Sequence, residues 1–146
     1  SRRSQRRHAL LHRHLSRRSA GHVTKLRGSD GFNLGTFPVG SLPERLAFDG
    51  TNMWVVNSGS NDVSRVRVSD GAVTGTFPVG TDPHGICFDG ANLWVTNSGS
   101  DDVTMLRALD GANLGTFPVG DAPQDIAFDG ANLWVTNRDS NTLRKL

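Results

Sequence analysis

Hydrophobic and polar residues alternate in short runs along most of the chain, and turn-forming pairs separate the runs. Within one unit of forty residues this alternation predicts four strands, at 45–49, 53–57, 62–69 and 73–79, which we call A, B, C and D. Asp-Gly pairs suit tight turns between A and B and between C and D, because glycine adopts positive φ angles at little cost. The pattern therefore predicts an all-β chain of short antiparallel strands.

The same unit recurs every forty residues. The phrase Gly-Thr-Phe-Pro-Val-Gly occurs at 35–40, 75–80 and 115–120, and a longer phrase that begins with Phe-Asp-Gly occurs at 48–57, 88–97 and 128–137. A period near forty with four strands per unit is typical of a β-propeller, in which each unit is one blade. Proline cannot donate to a sheet ladder, so each D strand, which contains Pro38, Pro78 or Pro118, is predicted to be an edge strand.

Counting the predicted strands raises the question of closure. Residues 22–146 supply C-D, A-B-C-D, A-B-C-D and A-B-C, which makes three blades and one spare C strand. Propellers have about four to eight blades, so three blades do not readily form a ring. One explanation is a head-to-tail homodimer with six blades, in which each chain lends its D strand, at 32–39, to 124–146 of the other. The other is that the chain is a piece of a longer protein, or an excised or engineered fragment without independent function.

Recurring aromatic residues are predicted to form the core between blades. A structural role is favoured over stacking on bases or sugars, because a lone blade cannot bury both of its faces. The predicted core residues are Phe48, Trp54, Phe77, Phe88, Trp94, Phe117, Phe128 and Trp134. The single cysteine, Cys87, is predicted to be a small core residue rather than a nucleophile.

Charge is distributed unevenly between a basic head and an acidic body. Residues 1–21 contain seven Arg and no acid, whereas the rest has nine Lys and Arg against fourteen Asp and Glu, a net charge of −5. The head is interpreted as a solvated tail, with a short helix over about 5–15 as an option. Binding of nucleic acid or an anionic surface through the arginines, and a targeting segment, are alternatives. No apolar run is long enough to span a membrane.

Residues at the start of each A strand form the candidate site. In a propeller the D-to-A connectors meet around the central channel, and here the prolines Pro43, Pro83 and Pro123 stiffen each connector. The residues after the prolines differ between units, and variation on a fixed scaffold is where ligand choice resides. The predicted ligand-binding residues of this channel face are Glu44, Arg45, His84, Gln124 and Asp125. A divalent ion could bind His84 with Asp82 or Glu44.

Two resemblances accompany these patterns. Trp-Val-Thr-Asn at 94–97 and 134–137, preceded by Phe-Asp-Gly-Ala-Asn-Leu, resembles the signature of bacterial YVTN-type β-propeller repeats, with Trp in the Tyr position. This resemblance covers 22–146 and implies an extracellular or periplasmic protein. Pro-His-Gly-Ile-Cys-Phe-Asp-Gly at 83–90 is similar to a blade of the virginiamycin B lyases, propellers that open a cyclic lactone antibiotic by Mg²⁺-dependent elimination.

The second resemblance implies catalytic candidates at Asp82 and His84, with Mg²⁺ as cofactor. The lyases use another histidine at the equivalent place in the adjacent blade, where this sequence has Glu44 and Gln124. We therefore expect a non-catalytic scaffold that binds a small ligand or a protein at the channel face and needs no cofactor. A Mg²⁺-dependent lyase is the alternative.

Overall fold

A computed structural model describes residues 21–146, which form thirteen strands and contain no helix, and thus none that could cross a membrane. The all-β fold class is confirmed. The basic head, apart from Gly21, and the helix predicted over 5–15 lie outside the described residues. The strands are β1 (His22–Leu26), β2 (Asn33–Pro38), β3 (Pro43–Phe48), β4 (Asn52–Asn57), β5 (Asp62–Arg67), β6 (Val73–Pro78), β7 (Pro83–Phe88), β8 (Asn92–Asn97), β9 (Asp102–Arg107), β10 (Asn113–Pro118), β11 (Pro123–Phe128), β12 (Leu133–Asn137) and β13 (Thr142–Lys145).

These strands form four antiparallel sheets in chain order. The first sheet is β1-β2, the second β3-β4-β5-β6, the third β7-β8-β9-β10 and the fourth β11-β12-β13. The inner strands lie side by side, with β7 between β3 and β11. The proline-containing strands β2, β6 and β10 are edge strands, as predicted. Each inner strand begins two residues earlier than predicted, at Pro43, Pro83 or Pro123, because proline is tolerated as the first residue of a strand.

An aspartate organises each turn between the first two strands of a sheet. Oδ1 of Asp49 accepts the backbone N–H groups of Thr51 (2.8 Å) and Asn52 (2.6 Å), and Oδ2 accepts the indole N–H of Trp54 (2.7 Å). Burial alone would raise the pKa of Asp49, but the indole and these backbone donors together hold it below its ordinary value. The turns at Asp89 and at 129–134 repeat these bonds. The repeated phrase thus encodes a turn that fixes the tryptophan behind it.

Apolar side chains form a core between every pair of neighbouring sheets. One cluster joins the second and third sheets through Trp54, Val63, Ile86 and Leu93, and another joins the third and fourth through residues that include Val103. A smaller cluster of Val39, Val55 and Val66, with Val23 packed against it, holds the first sheet on the second. Each cluster is therefore formed by two neighbouring sheets, as expected of a repeat protein.

The predicted aromatic core is correct in part. Trp54 is completely buried, and its ring lies 5.5 Å from that of Phe77. Phe48, Phe117 and Phe128, however, are 52%, 36% and 37% exposed. Phe48 follows the two-stranded first sheet and Phe128 belongs to the three-stranded fourth sheet, whereas their equivalent Phe88 lies where two complete sheets meet and packs against the core. Phe117, on β10 of the third sheet, is exposed because the three-stranded fourth sheet, within residues 21–146, has no outer turn after β13 to cover it. In earlier units a glycine in the outer turn of the next sheet lies against the phenylalanine, Gly71 against Phe37 and Gly111 against Phe77.

Residues 21–146 do not close into a ring. The strand β2 pairs with β1, and β13 pairs with β12, so the fourth sheet keeps three strands. In the part of the chain that the structure describes, the first sheet correspondingly consists of two strands, which match the outer pair of a blade.

Candidate ligand-binding site at the channel face

The connectors before the inner strands share one backbone geometry. Leu42, Asp82 and Ala122 adopt positive φ angles of 50°, 51° and 53°, which are uncommon for residues other than glycine. The carbonyl groups of Leu42 and Asp82 accept the backbone N–H groups of Ser58 (2.9 Å) and Ser98 (3.0 Å). Because the frame is the same in each unit, the differences between units reside in the side chains.

In the third sheet, the connector brings Asp82 and His84 together. Nε2 of His84 lies 3.5 Å from Oδ1 of Asp82, and the His84 side chain is 26% exposed. The hydroxyl of Ser98 donates to Oδ2 of Asp82 at 3.0 Å and to its carbonyl oxygen at 2.9 Å. Ser98 therefore fixes the carboxylate, which leaves Oδ1 directed to the imidazole. The geometry allows an ion pair when His84 is protonated.

The second sheet uses the corresponding serine on a different acid. The hydroxyl of Ser58 donates to Oε1 of Glu44 at 3.0 Å and to the carbonyl oxygen of Leu42 at 3.1 Å. Ser58 and Ser98 were absent from the residues predicted for the site. Their recurrence directly after the second strand of each sheet, with Arg138 in the fourth, was the available signal.

An ion pair crosses the inner strands. Nη1 of Arg45, on β3, lies 3.3 Å from Oδ2 of Asp125, on β11, although β7 runs between these strands. The equivalent residue of β7 is Gly85, which has no side chain to obstruct the contact. Both charged side chains are more than half exposed, so the pair contributes about 0–1 kcal/mol and is easily exchanged.

Gly85 also permits close packing of β7 on β11. A Cβ at this position would lie 2.7 Å from the carbonyl oxygen of Gln124 and 3.0 Å from Oγ1 of Thr96. Thr96 uses that hydroxyl to accept the N–H of Gly85 (2.8 Å) and to donate to the Gln124 carbonyl (3.2 Å). Within the part of the chain that the structure describes, the buried side-chain N–H₂ of Gln124 has no partner.

The predicted metal ligands do not converge within one chain. Asp82 and His84 are adjacent, but Glu44 is bonded to Ser58 in the second sheet, and among residues 21–146 no three His, Cys, Asp or Glu side chains are grouped to hold an ion. Mg²⁺ takes oxygen ligands, usually one or two carboxylates with water or substrate completing the octahedron, whereas this pair supplies one carboxylate and one imidazole nitrogen. The residues of the single chain therefore do not fit the Mg²⁺ expected from the lyase resemblance.

Comparison with known proteins supports the fold. The sequence matches no protein-family profile and no curated protein. A catalytically inactive virginiamycin B lyase from Staphylococcus aureus with quinupristin is similar, with a TM-score of 0.72 and 22% identity over 89% of this chain and 45% of that one. Kuenenia stuttgartiensis hydrazine synthase gives a TM-score of 0.62 and 27% identity over 66% and 29%. The WD40 repeats of RRP9 give 0.66 and 16% over 86% and 44%.

These similarities establish a β-propeller-like fold. The chain spans less than half the length of each of the three solved structures. At these identities the comparisons support architecture, and function has to be argued from the residues of the site.

Proposed function

We propose that the protein is a β-propeller binding module whose channel face takes a small ligand or peptide segment that carries a carboxylate. The observation that supports this most directly is the exposed pair between Arg45 and Asp125. A guanidinium binds carboxylates through charge-assisted, often bidentate hydrogen bonds. A ligand carboxylate can therefore replace Asp125 beside Arg45, with His84 as a further polar contact.

Opposite effects of the two ion-pair partners test this proposal. Binding of a panel of dicarboxylates, amino acids and short peptides is measured by saturation-transfer NMR. Arg45→Ala should abolish the signals, whereas Asp125→Asn should strengthen them, because it removes the internal competitor for the guanidinium. Thr116→Ala, on the outer strand β10, serves as the control and should have no effect. Binding that is insensitive to both channel substitutions, or no binding by any member of the panel, would refute the proposal.

Ring closure by a second chain is part of the same proposal. The fourth sheet has three strands and the first has two, so two chains can complete each other and form six four-stranded blades if one of the five strands at each junction is displaced. Light scattering behind a sizing column should give twice the chain mass of 15.7 kDa. A monomer at micromolar concentration would contradict a closed ring.

A lyase remains a second candidate because Asp82 and His84 are in contact. His84 would act as the proton-transfer group and Asp82 would orient it. The test is turnover of quinupristin, the compound present with the similar lyase, in the presence of Mg²⁺. His84→Ala should abolish turnover while the circular dichroism spectrum stays unchanged. Absence of turnover by the unmodified protein would eliminate this candidate.

A further inference from the structure

Among the described residues 21–146, the first complete sheet of the array has an exposed face on the side of the first sheet. Leu46, Ile86 and Ile126 occupy equivalent positions on β3, β7 and β11, but their exposures are 54%, 8% and 5%. Ile86 and Ile126 are covered because complete four-stranded sheets precede them. Leu46 follows the two-stranded first sheet, which lacks the inner pair that would cover it.

The face of the fourth sheet at the other end of the array is also exposed. Val63, Val103 and Leu143 are equivalent residues, and their exposures are 0%, 0% and 59%. Val63 and Val103 pack against the inner strands of the sheet that follows, whereas the fourth sheet is the last one among residues 21–146. The interface that would cover both ends is thus one that the chain already forms twice within itself.

A cavity marks the place of a missing tryptophan. It has a volume of about 330 Å³ and lies between the first and second sheets, where Phe37, Leu46, Met53 and Val66 line it. In the complete sheets a tryptophan ring packs on the equivalent phenylalanine, with centroids 5.5 and 5.6 Å apart. Among residues 21–146, Phe37 contacts no tryptophan ring, and Trp134 in the fourth sheet contacts no phenylalanine ring.

We propose that a second copy of this chain inserts its β12 beside β1, with the partner's Trp134 in this cavity against Phe37. The partner's β11 and β12 and this chain's β1 and β2 then form one four-stranded blade, and β13 is the strand that leaves. This inference rests on the proposed two-chain ring and specifies which of the two spare C strands is excluded from it. It also places the channel-face residues of the partner's β11 beside Glu44 and Arg45.

The buried asparagines at the ends of the second strands explain why β13, rather than β1, would leave the joined blade. The side-chain N–H₂ of Asn57 donates to the hydroxyl of Ser64 at 3.0 Å, and that of Asn97 donates to the hydroxyl of Thr104 at 2.9 Å. Each hydroxyl belongs to the neighbouring C strand. A buried amide requires such a partner, because an unsatisfied polar group in the interior is costly.

The fourth sheet does not provide that hydroxyl. Asn137 is buried like its equivalents, but the residue of β13 at the hydroxyl position is Arg144, and the amide has one bond, of 3.3 Å, to Thr142. The equivalent residue of β1 is Thr24. Replacement of β13 by the partner's β1 would therefore restore the missing hydrogen bond.

Burial also favours β1 over β13, whereas the cation over the tryptophan does not distinguish them: Lys25 of β1 and Lys145 of β13 both occupy the position of Arg65, and Nζ of Lys145 lies 5.6 Å from the centre of the Trp134 ring. All four residues of β13 are exposed, whereas Val23 of β1 packs against the core of the second sheet. When β13 leaves, its hydrogen bonds to β12 are replaced by those between β12 and the β1 of the other chain. The number of bonds is preserved because β1 and β12 have the same length.

Disulfide trapping distinguishes the two closures. On β8 and β9, Val95 is opposite Thr104, so the inference places Val135 opposite Thr24 of the other chain. In a Cys87→Ala background, Thr24→Cys with Val135→Cys should give a covalent dimer on mild oxidation. If β2 alone were exchanged and β13 stayed, Thr36 would lie opposite Arg144, and Thr36→Cys with Arg144→Cys would give the dimer instead.

A matched pair within one chain controls the chemistry. Val95→Cys with Thr104→Cys, in the same background, should oxidise to an intramolecular disulfide and show that this geometry permits the bond. The inference predicts at least a tenfold larger dimer yield for the 24/135 pair than for the 36/144 pair. A ring of two chains that is trapped only by the 36/144 pair, or by neither, overturns the inference and leaves the two-chain ring intact. A monomer by light scattering overturns both.

Discussion

Asn97 provides the sharpest test of how the repeat is held together. It is completely buried at the end of β8 and connects three parts of the third unit. Its N–H₂ donates to Oδ1 of Asp102 at 2.8 Å and to the hydroxyl of Thr104 at 2.9 Å, while its Oδ1 accepts the backbone N–H of Gly80 at 3.1 Å. The side chain of Asn97 therefore joins β8 to β9 and to the connector at Gly80.

The substitution Asn97→Ala removes all three bonds and leaves buried partners behind. A net hydrogen bond contributes about 1 kcal/mol, and a buried group left unsatisfied costs about 1–3 kcal/mol. We expect a loss of about 3 kcal/mol in the free energy of unfolding. Thr104→Val should cost about 1 kcal/mol, and the double variant should lose less than the sum, because both single changes break the same bond.

Urea unfolding followed by tryptophan fluorescence measures these values, with the slope m as a check that the unfolded state is unchanged. Asn113→Ala is the matched control, because Asn113 lies exposed on β10 and makes one local bond, to the N–H of Gly115. It should change stability by less than about 0.5 kcal/mol. The reasoning would be refuted if the free energy of unfolding of Asn97→Ala lay within about 1 kcal/mol of that of the unmodified protein.

Three other predictions concern packing, acid and thiol chemistry. Leu93→Ala, at a site with no exposure, should cost about 2–5 kcal/mol in urea unfolding, whereas Leu109→Ala, at 85% exposure, should cost almost nothing. The guanidinium of Arg107 lowers the pKa of Asp110 from 3.8 to about 2. The stabilisation of the fold by this ion pair is therefore complete above pH 4 and is lost as the pH falls towards 2. Thermal melts should show a smaller loss over that range for Arg107→Gln. Burial, with nearby acidic charge, raises the pKa of the Cys87 thiol to about 12, so iodoacetamide at pH 8 should react slowly until urea is added. Equal rates with and without urea would contradict the burial of this thiol.

Local chemistry explains why the strands could be predicted from the sequence. Alternation and Asp-Gly turns specify a hairpin with neighbouring residues alone, and the edge position of β6 and β10 follows from the missing N–H of their prolines. The role of Asp49 as acceptor for an indole five residues later was not predicted. Such a bond requires the turn geometry as well as the residue types.

The site could be predicted only as a set of residues. Arg45 and Asp125 were both named, but their contact spans eighty positions in the sequence and depends on the absence of a side chain at Gly85. The burial of Phe48 was wrongly predicted because a repeated sequence carries the same pattern whether or not a neighbouring sheet covers that copy.

The prolines of the outer strands also determine how the protein can polymerise. Every edge formed by β2, β6 or β10 lacks a donor at its last residue, so addition of a foreign strand at the rim is disfavoured. Two other edges are open, one along β1 in the first sheet and one along β13 in the fourth. Neither of these strands contains a proline. Misassembly at high concentration should therefore give end-to-end strings of molecules rather than laterally stacked fibrils.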